Sequence, residues 1–170
     1  MAQIADWFGR KFDFSFPVEL YPDLCMRLRG SPARLEELVS GCAVDRLVRA
    51  PAWKWSAQEH VGHLLDLEPL WMARAEDFLA GRSELTAADL TNRRTHEAGH
   101  NARALQGILA DFRRTRTTFV NLLQNVDPKL FAGTMLHPRM KVPMRLIDHL
   151  FFVAEHDDHH LAIIWEMTRE

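Results

Sequence analysis

The run SAQEHVGHLLDLEPLWMARAEDFLAG, residues 56–81, limits what this chain can fold into more than any other stretch. Ser56 and Glu59 have the spacing of a capping box, in which each side chain satisfies a backbone donor that the first helical turn leaves open. Val61, Leu64, Leu65, Leu67, Leu70 and Trp71 follow at helical spacing, and Gly81 marks the stop. A helix with an apolar side draws its stability from packing that side against other elements. Pro69 lies inside the run, where it removes one backbone bond and crowds the preceding turn, so a kink is expected there.

Partners for this helix can be read on both sides of it. PVELYPDLCMRLRG and SPARLEELVSG predict a first helix broken near Gly30, with Ser31 as N-cap of the second piece and Pro32 at its first helical position. Residues 102–126 are amphipathic, with Leu105, Ile108, Leu109, Phe112, Phe119, Leu122 and Leu123 on the apolar side, and Asp127-Pro128 ends them. A last helix is expected from near Pro143 to the end. Residues 82–101 are polar and weakly periodic, a loop or a frayed helix start, and no segment alternates as a strand would. Four long helices in 170 residues predict an all-α fold, a four-helix bundle with residues 1–16 as an N-terminal arm and 17–170 as a single domain.

Composition narrows the function. The chain is 47% hydrophobic and 26% charged, as a folded domain should be, and its net charge of −2 gives no reason to expect nucleic acid as a partner. No stretch approaches the roughly 18 apolar residues of a membrane span, and the first residues lack a signal-peptide core, so a cytoplasmic protein is expected. Cys25 and Cys42 make neither a disulfide framework nor a CxxC site and read as small core residues.

The unusual feature is nine histidines, five of them in two clusters. HEAGH, residues 96–100, fits the zinc-protease pattern H-E-x-x-H. Its flanks are polar, however, Gly99 weakens a helix between the two histidines, and the extended pattern fails at Arg103 and Gln106. It reads as a chance match in a polar loop. HDDHH, residues 156–160, has a better setting: His149, Phe152, Val153, His156, His160, Ile163 and Met167 share one face of the last helix. Two imidazoles in an apolar stripe need something polar between them, and a metal ion is a natural candidate. A third ligand should come from a facing helix. His60 and His63 are both available, and His63 is the more central because it shares its face with Leu67, Leu70 and Arg74.

KWSAQEHVGHLLDLE, followed about ninety residues later by HLFFVAEHDDHHLAII, resembles the DinB-like superfamily of bacterial four-helix-bundle proteins over roughly residues 17–168. The resemblance implies one divalent transition metal, zinc or nickel, held by His63, His156 and His160. His159 lies on the edge of the stripe. It also implies looser possibilities for activity, among them transferases that use a low-molecular-weight thiol. Three histidines leave coordination positions open, the arrangement of a reactive site, so water or a thiol activated for hydrolysis or transfer to a small-molecule substrate is expected. The alternative is a metal-binding module without turnover. Glu59 and Asp66, one turn on either side of His63, are candidates to orient the ligands, and Arg74 could meet a substrate carboxylate. Asp157 and Asp158 read as a solvated face. A second apolar face of the last helix, with Ile147, Phe151, Ala154, Leu161 and Trp165, is expected to pack on neighbouring helices or on the other chain of a homodimer.

Overall fold

Ser56 and Glu59 form the capping box in full. The Ser56 hydroxyl accepts from the backbone N–H of Glu59 at 3.1 Å, and the Glu59 carboxylate accepts from that of Ser56 at 2.7 Å. The computed structural model describes residues 4–51 and 54–169. Six α-helices are present among them: α1 (Tyr21–Val39), α2 (Val44–Leu47), α3 (Ala57–Leu79), α4 (Arg93–Glu97), α5 (Leu105–Gln124) and α6 (Leu146–Thr168). The four long ones form the bundle. α1 packs on α5 and α6, and α3 packs on the same two, so α1 and α3 face each other across the diagonal.

The first helix is continuous, not broken near Gly30. Pro32 lacks the N–H that would reach the Leu28 carbonyl, and that carbonyl instead accepts from Arg116 Nη1 of α5 at 3.2 Å. With the freed acceptor satisfied from another helix, the proline no longer ends the run. Ser31 caps nothing; its hydroxyl donates to Asp157 of α6 at 2.6 Å.

The core has two apolar clusters with a polar layer between them. One contains Leu28, Trp71, Phe119 and Ala154, and the other Leu35, Leu64, Phe112 and Leu161. Halfway along each helix, between these pairs, stand Ser31, Glu68, Arg116 and Asp157, all buried. Each bundle helix contributes one residue to this layer. Asp157 is therefore not on a solvated face: it is fully buried, because Arg116 reaches it from α5. Asp158, partly exposed, pairs with Arg27 and Arg34.

The 127–142 connection contains more structure than its sequence suggests. Thr134–Leu136 (β1) pairs antiparallel with Pro143–Arg145 (β2), with buried Met135 opposite buried Met144. Pro143 thus lies in a strand, and α6 starts at Leu146. The described part of the arm lies along α6. Arg145 donates to the carbonyls of Phe14 and Phe16, and Trp7, Phe12 and Phe14 set their rings at steep angles against Phe151 and Phe152. The second apolar face of α6 is thereby covered within the chain, apart from Trp165, which is 47% exposed. Cys25 and Cys42 are free thiols. No helix among the described residues is long and apolar enough to cross a membrane.

Candidate metal centre

His63 on α3 and His156 and His160 on α6 converge, each offering one nitrogen within 4.8 Å of the others. The i, i+4 spacing on α6 puts His156 Nε2 3.2 Å from His160 Nε2. All three rings are buried. Burial first, and then the neighbouring imidazoles, push their pKa values down, that of His63 to about 3 and those of His156 and His160 well below the ordinary histidine value. The rings are therefore neutral at ordinary pH, which is the form that can ligate a cation.

The outer nitrogens show how two of the rings are oriented. His63 Nδ1 lies 3.0 Å from the Thr95 hydroxyl, and that hydroxyl bonds in turn to Asp66. A carboxylate can only accept, so Thr95 donates to Asp66 and accepts from His63 Nδ1–H. This leaves the lone pair of His63 on Nε2, which faces the other two histidines. His160 Nδ1 lies 2.8 Å from His60 Nδ1. His60, read from sequence as the more superficial of the pair, is buried and braces His160. His156 Nδ1 is buried without a partner. Three neutral rings that each turn a nitrogen toward the others, with no carboxylate among them, make a donor set suited to a divalent transition metal.

Of the residues expected to orient the ligands, Asp66 does so through Thr95, and it also accepts from His100 Nε2 at 2.8 Å. Glu59 holds the α3 cap; its effect on the centre is to raise the pKa of His60, against the larger lowering by burial. Arg74 is buried against Trp71, with Nε donating to the Thr86 carbonyl at 2.8 Å. His159 contacts Trp7 and lies outside the triad.

HEAGH is not one helical face. α4 ends at Glu97, Gly99 takes φ +60°, and His100 begins a short 3-10 turn. Neither is it a polar loop throughout. Thr95 and His100 are buried, and His100 lies so close to α3 that a Cβ on Gly62 would meet its ring at 2.2 Å. His100 packs against α3 from outside, and Thr95, just before the motif, supplies the His63 brace. Thr95, Trp7 and Trp55 were missed in the sequence. The Trp7 ring lies 5.0 Å from that of His156, and the Trp55 ring 4.6 Å from that of His63. Thr95 and Trp55 lie near histidines in sequence but outside the periodic segments, and Trp7 lies in the arm, so no local pattern assigns any of them to the centre.

The triad opens on a cavity of about 1090 Å³ lined by both tryptophans, Trp71, Phe152, His96 and Arg74. The sequence profile of the DinB superfamily matches residues 27–164. The chain belongs to the DinB superfamily. No curated protein matches it. Among solved structures it is similar to YfiT from Bacillus subtilis, at a TM-score of 0.82 and 22% identity over 94% of this chain and 92% of that one. That protein is described as "a probable metal-dependent hydrolase with an unusual four-helix bundle topology". At this identity the likeness speaks for the fold.

Proposed function

We propose that this DinB superfamily member is a metal-dependent enzyme acting on a small molecule, with His63, His156 and His160 holding one divalent ion, zinc or nickel. The observation that carries the reading is the convergence of three neutral, buried imidazoles at the wall of a large cavity. A structural metal site is closed by protein ligands on all sides, whereas three ligands facing a cavity leave room for a reactant. A divalent ion bound there supplies Lewis acidity that makes water or a low-molecular-weight thiol nucleophilic at neutral pH.

The chain's own residues do the rest. Thr95 and Asp66 hold the Nδ1 proton of His63, and His60 fixes the ring of His160. Trp7 and Trp55 pack against His156 and His63 and give the cavity apolar walls beside the triad. Hydrolysis and thiol transfer differ only in which nucleophile enters the cavity. No cysteine of the chain belongs to the centre, so a thiol would have to come from outside. Support for hydrolysis comes from the description of YfiT, and support for thiol transfer from the family resemblance.

The test is a panel of activated esters, amides and alkyl halides assayed with and without added thiols. Turnover should vanish with a chelator, return with the metal, and be lost in His156→Ala at unchanged helical content. Metal that binds stoichiometrically but serves only to hold the fold, with no turnover on any of the panel, would contradict it.

A further inference from the structure

Away from the triad, the same cavity ends in a group of donors without an acceptor. His137 follows β1, and its Nδ1 lies 3.2 Å from both the Arg139 and the Met140 backbone N–H groups. Accepting from these, Nδ1 carries no proton, so the neutral ring carries its proton on Nε2. Yet Nε2 lies 3.3 Å from Arg74 Nη1. A guanidinium has no lone pair to offer, so the two groups are donors set side by side and cannot satisfy one another.

Two more donors belong to residues of the same cavity lining. Arg139 Nη2 is buried and has no partner, as does the indole nitrogen of Trp71. Arg139 lies close enough to lower the pKa values of both Arg74 and His137, after burial as the larger cause in each, to about 10 and about 4. Asp77 is the carboxylate that most offsets Arg74, but it is bonded to Thr86 N–H and hydroxyl at 2.6 and 2.8 Å and to Arg82 at 3.1 Å. The acids lining the cavity are also committed elsewhere: Asp6 to Gly9, Glu59 to the α3 cap, Asp89 to Thr91 and Arg93, and Glu166 to Arg169.

We propose that Arg74, His137 and Arg139 form an oxyanion subsite that binds a carboxylate or phosphate group of the substrate. One oxygen between Arg74 Nη1 and His137 Nε2 would accept from both, which resolves the facing donors, and charge-assisted bonds of this kind are the strong ones. Aromatic rings separate the subsite from the triad. Trp71 lies 5.5 Å from the His156 ring on one side and 5.7 Å from the Arg74 guanidinium on the other, while Phe152 lies 5.5 Å from His137. The substrate class is then a small anion whose charged group and reacting bond are a short apolar spacer apart. The subsite stands on its own donors; its use in turnover rests on the metal-dependent reading above.

The test is titration of the full-length protein with inorganic phosphate, acetate and neutral acetamide, following the His137 imidazole signals by NMR. Phosphate or acetate should shift them saturably, and acetamide should not. Whichever anion binds more tightly names the group, and either order supports the subsite. Arg139→Gln should weaken anion binding by roughly 10-fold or more, in line with the loss of a charged hydrogen bond. Arg74→Gln should do the same; if that buried change costs the fold, the partly exposed Arg139 carries the test. His160→Ala, which removes a proposed metal ligand, should leave the anion affinity unchanged, so failure of the metal reading and failure of the subsite are separable. Unmoved His137 signals, acetamide binding as tightly as acetate, or full affinity in Arg139→Gln would overturn the proposal.

Discussion

The bundle buries two polar regions, and they are finished to different degrees. In the layer of Ser31, Glu68, Arg116 and Asp157 every group has a partner. Arg116 donates to both carboxylates and to the Leu28 carbonyl, and Ser31 donates to Asp157. Burial raises the pKa of Glu68, and the Arg116 charge works against that rise. In the cavity, by contrast, His156 Nδ1, Arg139 Nη2 and Trp71 Nε1 have no partner, and Arg74 faces another donor. A buried polar group without a partner costs about 1–3 kcal/mol. The completed region holds four helices in register, while the incomplete one leaves its capacity for a ligand.

The largest expected effect of breaking this contrast lies in the completed layer. Arg116→Met strands two buried carboxylates and should cost about 3–5 kcal/mol in chemical denaturation. His156→Ala in metal-free protein should cost far less, on the order of 1 kcal/mol, since that ring leaves no charge behind. Equal losses would erase the distinction.

Smaller effects sharpen it. Gly62→Ala sets a Cβ 2.2 Å from the His100 ring, so the 3-10 turn that carries His100 must shift; about 1–3 kcal/mol should be lost, and the nearby Thr95 brace of His63 should loosen with it. Thr95→Val removes the brace alone. It should weaken metal binding by about 10–100-fold, measured by competition with a chromophoric chelator, with little change in melting temperature. Single histidines give the smallest step. Burial holds His149 to about 3 and His137 to about 4. Below the unfolded value near 6.5 the unfolded chain takes up protons that the folded one refuses, so stability falls as pH falls. From pH 6.5 to 5.5 each should cost about 1 kcal/mol in metal-free protein. Stability that rises on acidification would contradict it.

The parts of this account that were legible in the sequence are those fixed by local pattern. The α3 capping box, the apolar stripe of α5 and the i, i+4 histidines of α6 are each set by neighbours along the chain, and all are found as expected. The parts that were not legible depend on contacts between distant residues. Pro32 reads as a helix start, because nothing near it announces that Arg116 will satisfy Leu28. Asp157 reads as solvated, because its partner lies 41 residues away. His63 reads as the more central histidine on α3, and the bond of His60 to His160 is invisible without the facing helix. The β1–β2 ribbon is too short for any alternation to show, and with it His137 escaped notice.

We propose that the metal belongs to the setting on α3 and α6 and not to the HEAGH pattern. Elemental analysis of protein purified without added metal, run side by side on wild type, His96→Ala and His160→Ala with helical content checked for each, tests it directly. About one equivalent of a divalent transition metal per chain is expected in wild type and His96→Ala, and its loss in a folded His160→Ala. Metal retained by His160→Ala and lost from His96→Ala would contradict it.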